Sequence, residues 1–513
     1  MHRRNFLRWV ATAAAAGAAG CETTSDGDAT TSRPGVETSA GAPTETATRT
    51  PRPTTGSGRT PTETATQTET PTETATPTET PTETPTPTPA IESSLPRLTT
   101  DGKWVVDEDG NEVVLRGLAT VEPWWGDQYA SQRGTDYMGS LERLTDESDG
   151  WYPSVVRIPC TVNWQETGID RYVLRYLDEI VRHCAEQDVY VILDHHLIRP
   201  YDTDETDRLM REFWNAVAPR YADHPHVVYE LFNEPTKPHH WEDDPAAWSA
   251  WKRHAQPWVD LVREHAPETP LIVGSPRWTS VTNMAAEEPF DGDHLIYSGH
   301  IYPGNGQPDE FDSTYGAPAE EVPVMITEFG WDRTGDPAVD EGTTSGWGEP
   351  FREWIESYPN VGWQGWCFDP IWEPALVDTE WNLLGGDPYA GHFLKRWLYE
   401  RRGDRNPEPV PTEGAPYSEP SDSTPPPVPS GITVRERSSE EFRVLWSPVE
   451  DGETSAMFYV VYVNGSVEDA VEDRFSLTVS GTAGETYDVA VSAVDAVGNE
   501  SDRSDTATVT LGE

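Results

Sequence analysis

Between residues 97 and 406 short apolar runs alternate with amphipathic segments of helical period, and few folds accept that order. Val113 to Ala119, Ser154 to Cys160, Val189 to Asp194, Val227 to Phe232, Leu271 to Gly274, Leu295 to His300, Val324 to Thr327 and Val361 to Trp366 make the candidate strands. Several are apolar almost without interruption, as strands covered on both faces are. Helical spacing fills the intervals at Asp170 to Gln187, Asp207 to Tyr221, Ala246 to Glu264 and Gly348 to Tyr358, and Pro388 to Arg401 follows the last strand. This order predicts an α/β fold, a (β/α)8 barrel, entered through a hairpin-like stretch from Lys103 to Val114 around Asp109-Gly110. An open doubly wound sheet fits less well, because no Gly-rich phosphate loop follows any strand.

In such a barrel the chemistry sits at the carboxyl ends of the strands. Val227-Val-Tyr-Glu-Leu-Phe-Asn-Glu-Pro235 brings Glu234 to the end of the fourth strand, and Pro323-Val-Met-Ile-Thr-Glu-Phe-Gly330 brings Glu328 to the end of the seventh. A single acid at a strand end is commonly just solvated. Two acids aimed into one mouth suggest the carboxylate pair that cleaves glycosidic bonds, with either stereochemical outcome. Other polar and aromatic residues sit at matching places: Arg157 on the second strand, His195 and His196 after the third, Asn233 before Glu234, His300 and Tyr302 after the sixth, and Trp366 on the eighth.

Taken in order, Val-Val-Arg157-Ile-Pro, Asn233-Glu234-Pro235, His300-Ile-Tyr302, Thr-Glu328-Phe-Gly and Trp366 resemble glycoside hydrolase family 5, whose members are retaining β-glycanases. The resemblance covers residues 97 to 405. It implies Glu234 as the general acid and base and Glu328 as the nucleophile. It further implies Arg157 and Tyr302 as the groups that steady Glu328, Asn233 as the partner of the sugar 2-hydroxyl, His196 and His300 as the polar floor, and Trp366 as the ring against which a sugar stacks. Of the two adjacent histidines, His196 matches the family's Asp-x-His spacing from Asp194. Trp124, Trp125, Trp278, Trp331, Trp372 and Trp381 lie in or near strand-end loops and are candidates to extend that platform. The implied substrate is a β-1,4-glucan cut internally, with mannan or another β-glycan as the alternative within the fold. A surface protein that only binds polysaccharide is the alternative outside it, and retention of the whole polar set speaks against that. No cofactor is expected, and no metal either, since His239-His240 has no matching Cys or carboxylate spacing.

The flanks set the expected surroundings. Arg3-Arg4-Asn5-Phe6-Leu7, an Ala-rich apolar run and Ala18-Ala19-Gly20-Cys21 resemble a twin-arginine export signal over residues 1–21 that ends in a lipobox, with Cys21 as the lipid anchor. Residues 22–96 are Thr, Pro, Glu and Ala in imperfect repeats and form no core, which reads as an extended stalk. Residues 407–427 form a Pro-rich linker that ends in Pro425-Pro-Pro427. Beyond it, in residues 428–513, alternating strands predict a small immunoglobulin-like sandwich. Trp446, the Tyr459 to Tyr462 pattern and Asp495-Ala-Val-Gly-Asn499 resemble a fibronectin type III module, read as a spacer or stabiliser.

The net charge is -52, and residues 22–96 hold only 11 acids and 4 arginines of it, so the acid coats the folded parts. Lysine is reduced to Lys103, Lys237, Lys252 and Lys395. That balance suits high salt, where screening relieves self-repulsion, and it disfavours nucleic acid and anionic surfaces as partners. Cys160, Cys184 and Cys367 are widely spaced and odd in number, and Cys184 falls in phase with Ile180 and Val181 as core. The expected protein is an extracellular monomer anchored at the membrane through Cys21 alone, with a polysaccharide as its partner.

Overall fold

The computed structural model describes residues 91–404 apart from 162 and 238–243, then Tyr417, and residues 422–512 apart from 450–457 and 473. The leader with Cys21, residues 22–90 of the stalk, His239-His240 and most of the 407–427 linker lie outside the described residues.

The chain enters through an antiparallel hairpin, β1 (Leu98–Asp101) and β2 (Trp104–Asp107). The barrel follows with β3 (Arg116–Thr120), β4 (Val155–Cys160) and β5 (Tyr190–His195). A two-residue strand β6 (Ile198–Arg199), β7 (Val227–Glu230) and a second short strand β8 (Glu234–Pro235) come next. Then come β9 (Leu271–Val273), β10 (Leu295–Ile301), β11 (Val324–Phe329) and β12 (Gly362–Phe368). Strands β3, β4, β5, β7, β9, β10, β11 and β12 pair in parallel and close on themselves, as the alternating pattern predicts.

Successive side chains in a strand point to opposite faces, so one inward residue fixes the rest. Val155, Ile192, Val228, Ile272, Ile296 and Met325 turn inward and join Leu98 and Val105 of the hairpin in one buried cluster that plugs the floor. Two residues further along the same strands, and so one layer up, stand Arg157, Asp194, Glu230, Ser298 and Thr327, all buried. The floor is apolar and the next layer is polar. Outward residues such as Val156, Ile158, Val191, Leu193 and Tyr229 pack under the helices.

The helix Asp204–Tyr221 illustrates how that outer ring forms. Thr203 caps it by accepting the Thr206 N–H, and Asp204, Glu205 and Asp207 in the first turn complement the helix dipole. Leu209, Met210, Phe213, Trp214, Val217 and Tyr221 recur at helical spacing and are fully buried. Truncating Phe213 there to Ala removes about 3–5 kcal/mol of packing. Cys160, Cys184 and Cys367 are buried and free.

Several expectations are corrected. The entry hairpin turns at Gly102, where φ is +55°, whereas Asp109-Gly110 closes a second turn through the single bridge Val106 to Glu112. The folded part begins before residue 97, because Leu95 is buried and the Tyr190 hydroxyl donates to the Pro96 carbonyl at 2.9 Å. After β9 the helix is reduced to the short turns Pro276–Thr279 and Thr282–Met284. Among the described residues no helix is long and apolar enough to cross a membrane.

Beyond the barrel, β13 (Thr433–Ser438), β14 (Glu441–Leu445) and β17 (Ser476–Ser480) form one antiparallel sheet. Strands β15 (Phe458–Val463), β16 (Ser466–Glu472), β18 (Thr486–Val494) and β19 (Ala507–Thr510) form another. Phe442, Val444, Trp446, Tyr459, Val461 and Val491 fill the space between them.

Candidate active site

Arg157 organises the polar layer. Its Nε donates to Glu230 Oε2 at 2.5 Å, Nη1 to Glu328 Oε1 at 2.7 Å and Nη2 to Asn233 Oδ1 at 2.6 Å, with Asp194 Oδ2 3.0 Å from Nη2. Burial alone would lower its pKa, but Asp194, Glu230 and Glu328 outweigh burial and hold the guanidinium charged. The planar fork suits this task, since its fixed donors serve several carboxylates at once. Glu328 receives a second hydrogen bond, from the Tyr302 hydroxyl to Oε2 at 3.0 Å, so each of its oxygens accepts from one donor. Burial first, and Glu328 second, push the Tyr302 phenol well above its ordinary value, so it stays a donor.

Glu328 lies inside β11 rather than after it, next to Thr327. Both reach the cleft because the register between β10 and β11 shifts by one after Gly299, pairing His300 with Glu328. A bulge of this kind lets consecutive residues face one side. Glu234 likewise departs from expectation. The barrel strand stops at Glu230, and Glu234 stands four residues beyond, on β8, which pairs with Ile198 of β6.

The hydrogen bonds along this wall fix where the protons sit. The Thr327 hydroxyl gives its one hydrogen to Glu230 Oε1 at 2.9 Å. It therefore accepts from its other neighbours, Ser298 Oγ and His300 Nε2, the latter at 3.0 Å. Burial pulls the His300 pKa down to about 4, so the ring is neutral and carries its hydrogen on Nε2. Nδ1 is then an acceptor, and it faces Glu234 Oε1 at 3.0 Å. That contact is a hydrogen bond when Glu234 holds a proton. Burial independently raises Glu234 from 4.5 to about 7, while His196 and Arg157 pull the other way and Glu230 adds to it. The tautomer follows from the available acceptors.

His196 Nδ1 lies 2.6 Å from Asp194 Oδ2, and burial lowers its pKa to about 4. Asp194 is itself raised to about 7, by burial first, with Arg157 opposing and Glu234 assisting. His195 points the other way, into the core: it stacks on Phe213 with centroids 4.1 Å apart, and neither ring nitrogen has a protein partner. Asn233 is fully buried, and its Nδ2 has no hydrogen-bond acceptor in the protein. Its carbonyl is held by Thr279 Oγ1 at 2.6 Å, from a loop in which Arg277, Trp278 and Thr279 all take positive φ. Three such residues in a row are strained, and the strain sits beside the cleft.

One oxygen from each of Glu234 and Glu328, with a ring nitrogen of His300, fall within 4.8 Å of one another, close enough to hold a cation in principle. In the observed arrangement each is already engaged: His300 with Glu234 and Thr327, Glu328 with Arg157 and Tyr302. So close an approach of two oxygens suits the short-spaced pair, carboxyls roughly 5–5.5 Å apart, in which one carboxylate attacks carbon, rather than the pair roughly 6.5–9.5 Å apart that seats a water.

Trp366 is 7 % exposed, with His196 parallel at 5.6 Å and Trp372 close to parallel at 5.8 Å. Trp124, Trp125, Trp278, Trp372 and Trp381 are partly exposed, whereas Trp331 is core and packs on Trp347 and Phe393. The fold thus brings together Arg157, His196, Asn233, Glu234, His300, Tyr302, Glu328 and Trp366. Glu230, Ser298 and Thr327 were missed. The signal for them was present: each falls at the two-residue strand period from an inward apolar residue.

Comparison with known proteins gives a family match. The family model described as Cellulase (glycosyl hydrolase family 5) matches residues 106–370. The chain is 27% identical over 288 residues to cellulase CelDZ1 of a Thermoanaerobacterium species, covering 54% of this chain and 71% of that one. It is 26% identical over 267 residues to endoglucanase A of Butyrivibrio fibrisolvens, covering 50% of this chain and 57% of that one. With endoglucanase A, then, the chain spans less than two thirds of the relative's length. Among solved structures, the β-glucanase SdGluc5_26A of Saccharophagus degradans superposes with a TM-score of 0.54 at 24% identity, over 62% of this chain and 98% of that one. At that identity the superposition speaks for the fold.

Proposed function

Since this chain belongs to glycosyl hydrolase family 5, we propose that it is a retaining endo-acting glycoside hydrolase that cleaves β-1,4-glucan. The observation that carries the reading is the pair Glu234 and Glu328, an oxygen of each within 4.8 Å of the other but in unlike surroundings. Glu328 accepts hydrogen bonds from Arg157 and Tyr302, which leave it free to attack, while burial raises Glu234 to about 7. Glu328 attacks the anomeric carbon, the glycosidic C–O bond breaks, and Glu234 passes its proton to the departing oxygen. Glu234, now ionised, takes a proton from water. The resulting hydroxide attacks the same carbon and releases Glu328, so configuration is retained.

The remaining residues support these two steps. The free Nδ2 of Asn233 is a donor for the sugar 2-hydroxyl, a contact that strengthens as charge develops on the ring. His196 and His300, both neutral, line the floor, and Trp366 with Trp372 offers an indole surface to the apolar face of a pyranose. The glucan assignment rests on relatives that bear the names cellulase and endoglucanase. The leader, with Arg3, Arg4 and Cys21, supports export and lipid anchoring outside the cell, and the acidic surface supports a salt-rich medium. Residues 428–513 are read as a fibronectin type III-like module. The expected unit is the monomer.

Reducing sugar released from carboxymethyl cellulose, β-glucan, glucomannan and xylan tests the proposal. Release from the glucans is expected, and Glu328→Gln should lower it at least about a thousandfold. Unchanged release in that variant removes Glu328 as nucleophile, and cleavage of glucomannan alone moves the substrate to mannan.

A further inference from the structure

Strand β15 has no solvent face. Tyr459, Val461 and Val463 point into the sandwich, as alternation requires, but Phe458, Val460 and Tyr462 on the opposite face are also buried, at 1%, 7% and 6% exposure. A sheet of a two-layer sandwich normally turns polar residues outward. Here the outer face meets Ala375, Leu384 and Tyr389 of the loop that follows β12, in one apolar cluster. The backbones touch as well. Gly385 N–H donates to the Ala496 carbonyl at 2.8 Å, and a Cβ on Gly386 would fall 2.5 Å from the Val497 carbonyl oxygen. Only glycine allows that approach.

The loop resting on this bed also forms one side of the cleft. Its first residue, Asp369, is fully buried and binds Arg133 from the loop after β3, with Nε at 2.5 Å and Nη2 at 3.1 Å. The same Asp369 Oδ1 accepts the N–H groups of Ile371 and Trp372 at 2.8 Å each, which aims Trp372 at Trp366. Trp381 Nε1 donates to the Arg133 carbonyl at 2.6 Å. The loop after β11, the strand of Glu328, is tied to the same stretch through Thr344 N–H to the Asp387 carbonyl at 2.7 Å and Arg333 N–H to the Pro388 carbonyl at 3.0 Å.

We infer that the C-terminal sandwich is a fixed brace behind the catalytic site, whose apolar outer face positions the loops after β11 and β12 and thereby the Trp372–Trp366 surface that receives the glycan chain. Of the two roles expected of the module, spacer or stabiliser, the inference takes up the second. The inference rests on the proposed function for its substrate, and on packing for its geometry. Val460→Glu and Leu384→Glu, made separately in the full chain, attack the contact from its two sides. Hydrogen–deuterium exchange across residues 369–390 is read beside kcat/KM on carboxymethyl cellulose. In both variants exchange should accelerate and kcat/KM should fall on the order of tenfold or more, chiefly through KM, since small displacements at a binding surface are amplified. A Val460→Glu chain whose sandwich unfolds serves equally, because the loop then loses its bed. Unchanged exchange after Val460→Glu overturns the inference, as does faster exchange with kcat/KM within about twofold of wild type, or an effect confined to Leu384→Glu. A wild-type protein that cuts none of the glycans refutes the functional reading instead, and the exchange pattern then decides the docking alone.

Discussion

Replacing Glu234 with Gln tests the charge logic of the site most directly, because it removes one titration and little else. The amide keeps the shape of the side chain and an N–H for His300 Nδ1, which sits 3.0 Å from Oε1. In the wild type, burial lifts this carboxyl from 4.5 to about 7. That rise corresponds to about 3 kcal/mol of penalty on the ionised form, at 1.36 kcal/mol for each tenfold change in proton affinity. At pH 7 it multiplies the protonated fraction roughly 150-fold over an ordinary glutamate, which is what a proton donor requires. The cost appears in stability. Because the folded value exceeds the unfolded one, the native state binds more protons between pH 4.5 and 7, so this group's contribution is fully present below 4.5 and is lost as pH rises through 7.

Gln does not titrate. Urea unfolding of wild type and Glu234→Gln should therefore coincide near pH 4 and separate progressively, with the variant more stable by up to about 3 kcal/mol at pH 8. Asp340 and Glu122, also raised to about 7 by burial, titrate in both proteins and cancel in the difference, whereas Asp194, which Glu234 helps to raise, falls somewhat in the variant and adds to the separation. Hydrolysis of carboxymethyl cellulose should fall about 10²–10⁴-fold in the variant, with a smaller loss on an aryl cellobioside whose leaving group needs no acid. Stability curves that stay parallel from pH 4 to pH 9 would refute the reasoning, since they would mean that Glu234 ionises in the fold as it does in water.

Thr327→Val should break the hydrogen-bond chain that keeps the His300 hydrogen on Nε2, freeing the ring to donate to Glu234 and stabilise its anion. The alkaline limb of the pH–rate profile should then move below its wild-type position near pH 7 and activity at pH 7 should fall several-fold, with Thr327→Ser restoring both; an unmoved limb removes Thr327 from that role. The charge of -52 predicts a melting temperature that climbs with added sodium chloride, as the screening length shrinks from about 10 Å at 0.1 M to about 3 Å at 1 M. A melting temperature independent of salt would contradict the reading of the surface.

Much of the barrel was legible because strand period and helix period are local properties. The order of apolar runs was enough to place eight strands, and alternation within each was enough to know which residues share a face. Glu234, Glu328, Arg157 and Asn233 could be named from their strand-end places and the resemblance to family 5, although Glu234 stands on β8 and Glu328 faces the cleft only through the bulge. Trp331 was misjudged as a candidate platform residue because its side chain folds back under Trp347 and Phe393, which its position in a strand-end loop could not reveal. His195 and His196 differ by one residue and point to opposite faces. The family's Asp-x-His spacing from Asp194 singled out His196, whose ring lies on Asp194 while that of His195 stacks on Phe213.

By itself, then, the sequence determined the architecture and the chemical types gathered at one end of a barrel, since side-chain alternation is set within a few residues of chain. The tertiary structure decided their charge states. Arg157 and Glu328 are 171 positions apart, and Arg133 and Asp369 are 236 apart, yet each pair meets inside 3 Å. A carboxyl's pKa depends on how much water remains around it and which charges lie within a few ångströms, and both are fixed only when distant strands close the barrel. The same holds for the sandwich: alternation predicted its core, but the apolar outer face of β15 acquired a meaning only where the loop after β12 came to rest on it.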